Sequence, residues 1–564
     1  MKLGRTLLVL SLLTFLSGCV FPTGGLTSNP TSEQISTSSP TSEPTSIPTS
    51  ESTSSSTSES TSASTSNPTS TSTSQSTSNP TSQPTSISTS ISTSSSISGD
   101  PELETIPVNF TAINDFHGQL DEDGYQVGIA KMTSYLKEKK AEGNVLICSG
   151  DNYQGSLICN YDKGVFVSSI FKDIGFDAYT IGNHEFDWGV EYIRLNEEIL
   201  GEKMLGANIY NYPKTDNQWT KSDLGELYKI ITLYEGTPQE IKIGIIGVIG
   251  RRQITSITST YVEDYIFLEP TQIVKNLAIE LREEKGCDIV VASYHDASPD
   301  YSIADRVSGK NYHYVDACFM GHTHSFDAWE INNVPFVQGG AYSQGTSEVS
   351  LLFNKNTSTV TLNNYDFQYL SSLDLEPDEE VETALQNIKD ELYDKFYEVV
   401  GTNATGRRID EYAMARFYAK ITYEKALELG YEVDGCVFNQ ARRELKAGDF
   451  TYSDLFETHP FLNEVYIISA DEYDISNQSS YRCSYLKPGF NPSYSSTHHD
   501  VLVFNYNGFH IGVNESNEKY YNYFPSAFNE TSEHAPIRMD FTCFDIALEW
   551  LKTNEITSED IPNY

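Results

Sequence analysis

Five short clusters of carboxylate, amide and imidazole side chains constrain this chain more than any other feature. They are Asn114-Asp115-Phe116-His117-Gly118, Gly150-Asp151-Asn152, Gly182-Asn183-His184-Glu185-Phe186-Asp187, Tyr294-His295-Asp296 and Gly321-His322-Thr323-His324. Most of them follow an apolar run that reads as a β-strand, and glycine flanks nearly every one. Polar groups delivered from successive strand ends can converge on a shared point, where glycine lets backbone approach closely.

The apolar runs define the surrounding fold. Residues 108–113, 144–148, 178–181, 241–248, 288–293 and 315–320 read as strands, and 348–353 and 360–363 as two more. Helical periodicity covers 128–140, about 165–173 and 272–284. Strands that are apolar throughout and alternate with helices imply sheets covered on both faces, hence an α/β layered domain over residues 101–370. Val381, Leu385, Ile388, Leu392 and Phe396 then recur at helical spacing, so 371–400 reads as an amphipathic linking helix. Residues 401–564 form a second, smaller α/β region, with helices expected near 412–429 and 544–552 and a strand at 434–438.

Each residue type in the clusters has a chemical reason to be there. Asp115 and His117 can point to one side if the strand breaks into a loop after them. Asp151 follows Ser149-Gly150, where a sharp turn lets its carboxylate bridge two cations. Asn183 offers a neutral oxygen, and His295, His322 and His324 supply imidazoles suited to several divalent transition metals. A pair of divalent cations held in this way is what a two-metal hydrolase needs to clamp a phosphate.

Together these motifs resemble those of the calcineurin-like metallophosphoesterases, specifically the bacterial secreted 5′-nucleotidases. The resemblance runs from about residue 106 to the C-terminus. It implies a four-layered α/β-β/α sandwich followed by a C-terminal substrate-binding domain. It also implies two divalent ions, zinc or manganese, one on Asp115, His117 and His324 and the other on Asn183, His295 and His322, with Asp151 bridging. His184 and Asp187 match the family's catalytic pair: a water-derived hydroxide between the metals attacks phosphorus in line while His184 assists the phosphoryl oxygens or leaving group. His313, His459, His498, His499, His510 and His534 are read as surface or structural.

In the C-terminal region the resemblance thins. Thr451-Tyr452-Ser453-Asp454-Leu455 leading to His459-Pro460-Phe461 is similar to the family's segment whose Phe stacks on a nucleobase; Phe461 is otherwise a core residue beside a Pro turn. The family's Asn-Gly-Gly-x-Ile-Arg motif is altered to Asn439-Gln440-Ala441-Arg442-Arg443, keeping Asn439 and Arg442 without the glycines. Arg408 matches a second phosphate-binding arginine, with surface ion pairing as the alternative for either, and Tyr506 is the candidate for the second stacking aromatic. The implied substrate is a nucleoside 5′-monophosphate. The altered motif keeps other substrates open: 2′,3′-cyclic nucleotides, UDP-sugars or another phosphate ester. A non-catalytic surface-binding lipoprotein is the rival from a different class.

Composition settles the outer limits. Residues 1–18 carry Lys2, Arg5 and a short apolar run, as a secretory signal peptide does. Leu16-Ser17-Gly18-Cys19 resembles a bacterial lipobox, so Cys19 is expected to carry a lipid that tethers the protein to the outer face of the membrane. Residues 19–100 are dominated by Ser and Thr and cannot bury a core, which predicts a disordered stalk averaging on the order of 50 Å end to end. The net charge of −41 argues against a nucleic-acid polymer as partner. Cys148, Cys287, Cys318 and Cys436 lie in or beside apolar runs without a CxxC pair and read as small core residues.

Overall fold

The computed structural model describes residues 105–213, 219–296, 298–461, 463–479 and 483–562; the expected signal peptide, Cys19 and the Ser/Thr stretch lie outside the described residues. In chain order the first half carries strands β1 (Thr105–Ile113), β2 (Val145–Cys148), β3 (Ala178–Tyr179), β4 (Tyr228–Leu233), β5 (Ile241–Ile249) and β6 (Ile289–His295). It continues with β7 (Ala317–Met320), β8 (Phe326–Ile331), β9 (Val334–Gly339), β10 (Gly345–Asn354) and β11 (Thr359–Tyr369). Among its helices are α1 (Gly128–Ala141), α2 (Val165–Ile174), α3 (Val190–Leu200) and α4 (Pro270–Glu283).

Two sheets form. The first has the order β11-β10-β1-β2-β3, with β1, β2 and β3 parallel. The second has the order β8-β9-β7-β6-β5-β4, with β9, β7, β6 and β5 parallel and antiparallel strands at both edges. Period-two alternation in β1 sends Ile106, Val108, Phe110 and Ala112 toward the second sheet, where they pack with Ile241, Ile243 and Ile245 of β5 and Val291 of β6. The rings of Phe110 and Phe319 lie 5.7 Å apart across this interface. Residues of the other parity, Ile246, Val248, Val290 and Ala292, turn to α4 and meet Val274, Leu277, Ala278 and Leu281. With α1 packed on β2, α2 against α1, and α4 on β5 and β6, the layers run helix, sheet, sheet, helix. Burial on both faces is why β5 and β6 are apolar without interruption.

Parallel pairing is what gathers the polar clusters. β1, β2, β6 and β7 all end on the same side, so the loops that leave their C-terminal ends are neighbours, which is where open α/β sheets place ligands.

Helix α5 (Glu379–Phe396) buries all five of Val381, Leu385, Ile388, Leu392 and Phe396. Asp378 caps it by accepting from the backbone N–H of Glu380 and Val381, and pairs with Lys137 of α1 at 2.7 Å. Beyond it come α6 (Glu411–Glu428), β12 (Gly435–Val437), α7 (Tyr452–Thr458), β13 (Glu464–Asp471), β14 (Ser484–Leu486), β15 (His498–Phe504), β16 (Ile537–Thr542) and α8 (Cys543–Leu551). These strands make a five-stranded sheet of order β14-β12-β15-β13-β16 with its own core around Val437, Ile468, Val501 and Val503. All seven described cysteines are free and buried. Among the described residues no helix is long and apolar enough to cross a membrane.

Phe110 is fully buried between the two sheets. Phe110→Ala should therefore cost about 3–5 kcal/mol, read as a lowered denaturation midpoint. A loss under about 1 kcal/mol would mean the inter-sheet layer is not the main core.

Candidate metal centre

The ends of β1, β2, β6 and β7 deliver their polar residues through strained turns. Asp115, His117, Asp151, His322 and His324 all have positive φ, between 49° and 80°. Side-chain-bearing residues rarely adopt this left-handed region, and each instance costs on the order of 1–3 kcal/mol, so clustered cases mark a site that the surrounding structure over-determines. Glycine supplies the closest approaches. Gly150 has φ +92°, and a Cβ on Gly182 would collide with the Asp151 carboxylate and stand 2.9 Å from the His295 ring.

The side chains form two ligand clusters, Asp115–His117–His324 and Asp151–His295–His322, and a third group, His117–Asp151–His184, overlaps both. Asn183 joins the second: its Oδ1 lies 3.0 Å from His322 Nδ1 and 3.3 Å from His295 Nε2. Asp151 stands between the two, with Oδ2 3.1 Å from His295 Nε2 and 4.0 Å from His117 Nε2. All seven sequence-predicted ligands are thus brought together.

Hydrogen bonding tests whether these residues suit a cation. His117 Nδ1 donates to Gln154 O (3.0 Å) and His295 Nδ1 donates to Ser149 O (2.8 Å). In the neutral rings that tautomer leaves each Nε2 as a bare lone pair. The His295 lone pair then faces Asp151 Oδ2 and Asn183 Oδ1, and His117 Nε2 lies 3.1 Å from His324 Nε2. Acceptors aimed at one another are stabilised by a cation between them, and a backbone carbonyl behind the imidazole is the usual support of a metal-ligating histidine. The donor set of imidazole, carboxylate and amide fits divalent transition ions.

Without a cation, burial opposes a charge on the His295 ring, but the Asp151 charge overcomes it and pushes His295 up to about 10, so a proton on that ring supplies the positive charge a cation would bring. Burial works to raise the Asp151 carboxyl, but His295 and His184 overcome it and hold it well below the usual carboxylate range. Burial and the neighbouring His184 push His117 down to about 3, keeping its ring neutral.

His184 and Asp187 sit on the turn that follows Asn183. His184 Nδ1 donates to Asp187 Oδ2 at 2.6 Å, and its backbone N–H donates to Asp151 Oδ1 at 2.8 Å. Burial opposes the charged imidazole, yet Asp187 and Asp151 outweigh it and push His184 up to about 9. The ring lines a cavity of about 610 Å³ that also takes in His117, His324, Tyr342, Arg442 and Phe461.

The C-terminal half contributes unequally to this cavity. Phe461 lies almost parallel to His184, ring centroids 6.2 Å apart, and the Arg442 guanidinium stands 5.1 Å from the Phe461 centroid. Arg442 has no ion-pair partner among the described residues. Arg408, by contrast, is exposed and ion-paired with Glu444. Asn439 lies outside the cavity lining with its Oδ1 buried and unpartnered, and Tyr506 packs edge-on against His510, 5.6 Å between centroids. The structure therefore groups Arg442 and Phe461 with His184 and leaves Arg408, Asn439 and Tyr506 off the cavity wall. Of the histidines read as structural, His459 is fully buried with Nε2 bonded to Asn463 Nδ2, and His499 lies between Asp434 and Glu472.

Two residues beyond the sequence reading shape the site. Glu185, 2% exposed, accepts hydrogen bonds from Gly182 N, Asp151 N, Asn152 N and Asn152 Nδ2 at 2.7–3.1 Å, strapping the loops after β2 and β3 together. Burial first, then the Asp151 charge, pushes its carboxyl up to about 7. Tyr342, after β9, stacks on His117. Its Gly339-Gly340 neighbours carry the same strand-then-glycine signal as the five clusters.

Residues 108–326 match the family model described as calcineurin-like phosphoesterase. The chain thus carries a calcineurin-like phosphoesterase domain, and the matched range holds most of both large sheets and reaches past the last of the five polar clusters. An apyrase of Tabanus yao is 30% identical over 297 residues, spanning 46% of this chain and 50% of the apyrase. A 5′-nucleotidase of Diplobatis ommata is 26% identical over 276 residues, spanning 43% of this chain and 45% of that protein. The chain spans half or less of the length of these curated relatives. The fold extends further: the crystal structure of a 5′-nucleotidase precursor from Thermus thermophilus superimposes with a TM-score of 0.63 at 15% identity, covering 79% of this chain and 96% of that one. The chain is thus similar to 5′-nucleotidases in part of its sequence and in fold.

Glu185→Gln keeps the shape but turns an N–H group toward backbone donors. Divalent-ion binding, followed by titration calorimetry with manganese, should weaken about 10–100-fold, as for other supporting-residue changes at metal sites. Unchanged affinity would show that the ligand loops do not depend on this carboxylate.

Proposed function

We propose that this chain is an extracellular, metal-dependent phosphohydrolase that releases phosphate from nucleoside 5′-monophosphates. One observation carries the reading: Asp115, His117, Asp151, Asn183, His295, His322 and His324 converge in two adjacent clusters with Asp151 between them, and the His184–Asp187 pair opens into the same cavity. The similarity to an apyrase and a 5′-nucleotidase supports nucleotides as the substrate class. Placement outside the cell on a lipid anchor belongs to the same proposal and rests on the Leu16-Ser17-Gly18-Cys19 motif.

Asp115, His117 and His324 would hold one cation, and Asn183, His295 and His322 the other, with Asp151 shared. What the two cations supply is Lewis acidity, neutralising the phosphoryl oxygens and acidifying water. The chain's own residues do the rest. Asp187 fixes the His184 ring by taking its Nδ1–H, so the protonated Nε2 faces the cavity and can donate to the departing oxygen. A water oxygen bonds to phosphorus as the ester P–O bond breaks, and the His184 proton goes to the leaving alkoxide. Arg442 offers an uncommitted guanidinium to the anion, and Phe461 an aromatic face beside the leaving group.

A second reading keeps the chemistry and changes the ester. It is favoured by the pairing of Arg408 with Glu444 and by the position of Tyr506 off the cavity wall.

Phosphate release by the whole chain from AMP, UMP, 2′,3′-cyclic AMP, UDP-glucose and p-nitrophenyl phosphate tests both. Turnover should require manganese or zinc, stop with EDTA and favour the 5′-monophosphates. His184→Ala should lower kcat by about 10²–10⁴-fold. Preference for another ester supports the second reading, and no turnover with any metal favours the surface-binding lipoprotein.

A further inference from the structure

The loop between β9 and β10 places an aromatic residue where the backbone resists one. Tyr342 and Ser343 have φ of +51° and +59°, directly after Gly339-Gly340. A turn serving geometry alone would use glycine at such positions. The strain is held by specific bonds: Tyr342 N donates to Asp115 O at 2.8 Å, and Ser343 Oγ accepts from Gly128 N at 3.0 Å. The loop is thereby laid directly over the Asp115 turn.

The Tyr342 ring closes one side of the first ligand cluster. It stacks on His117 (centroids 5.1 Å apart, planes at 30°) and meets His324 edge-on (5.1 Å, 90°). Its hydroxyl has no hydrogen-bond partner among the described residues, although the side chain is half-buried and lines the cavity. A phenol so placed ordinarily finds a partner. His184 lies beside the same His117 ring, centroids 5.0 Å apart, and lines the same cavity as Tyr342. The same cavity wall carries the Arg442 guanidinium and the His184 ring, donors that draw an anion. An O–H there suits an oxygen-rich anion.

We propose that the Tyr342 hydroxyl donates a hydrogen bond to a non-bridging oxygen of the phosphoryl group, while its ring holds His117 and His324 in register. The proposal rests on the phosphohydrolase reading above and adds a substrate contact to it. The ligand chemistry is that of a tetrahedral phosphate oxyanion, whichever ester carries it.

Tyr342→Phe keeps the ring and removes the hydroxyl; Tyr342→Leu removes both. The probes are manganese alone, inorganic phosphate binding to the manganese-loaded whole chain, and kcat and KM for p-nitrophenyl phosphate. Tyr342→Phe should bind manganese and melt as the parent does, yet bind phosphate about tenfold or more weakly, with kcat/KM lowered by a similar factor. Tyr342→Leu should weaken manganese binding as well. Phosphate bound by Tyr342→Phe as tightly as by the parent overturns the hydroxyl contact, and unchanged manganese binding in Tyr342→Leu overturns the role of the ring. A parent protein that binds phosphate but hydrolyses no ester removes the phosphohydrolase reading while phosphate affinity still judges Tyr342. A parent that binds no phosphate overturns both.

Discussion

Everything at the centre of this molecule depends on acceptors that point at one another. The Asp151 carboxylate, the Asn183 amide oxygen and the Nε2 lone pairs of His117 and His295 share a volume a few ångströms across, away from bulk water. Such an arrangement is unfavourable unless a cation, or a proton on His295, brings positive charge to it, because buried unpaired acceptors and charges are costly. The strained backbone at Asp115, His117, Asp151, His322 and His324 adds to the cost. The layered core offsets it. Two sheets sharing Phe110, Ile243, Val291 and Phe319 hold the four strand ends side by side, and Glu185 ties two of the loops. The scaffold thus fixes in advance a geometry that its ligands alone would not adopt.

The C-terminal half is joined to this centre through residues with two tasks. Gln154 accepts from His117 with its backbone carbonyl and donates from its side chain to Pro460 O at 3.2 Å. One residue therefore sets the tautomer of a ligand and touches the turn that carries Phe461. Arg443 reaches Gln119 from the other side of the cavity at 3.4 Å. In a chain of net charge −41, the basic run Arg442-Arg443 at this one place gives an anion a local reason to enter against the general field.

Much of this is legible in the sequence because the relevant strands are buried on both faces. β1, β2, β5, β6 and β7 are nearly continuous apolar runs, and each candidate ligand lies at or just beyond the end of a strand or in the loop that follows. Strands with one exposed face are harder to read. β8 and β16, Phe-Asp-Ala-Trp-Glu-Ile and Ile-Arg-Met-Asp-Phe-Thr, mix polar and apolar residues and show no such run. Without β8 and β9 in view Tyr342 stays hidden, since a Gly-Gly turn signals little unless a strand precedes it. The substrate side is illegible for another reason. Arg408 and Tyr506 match by motif, but Glu444 beside Arg408 and His510 beside Tyr506 are set by tertiary contacts that no local pattern reports.

The proposed function requires two cations flanking Asp151. Anomalous diffraction from crystals grown with manganese measures this directly. Two peaks about 3.5–4 Å apart are predicted, one among Asp115, His117 and His324 and one among Asn183, His295 and His322, with Asp151 reaching both. A single peak, or none at these residues, would contradict it.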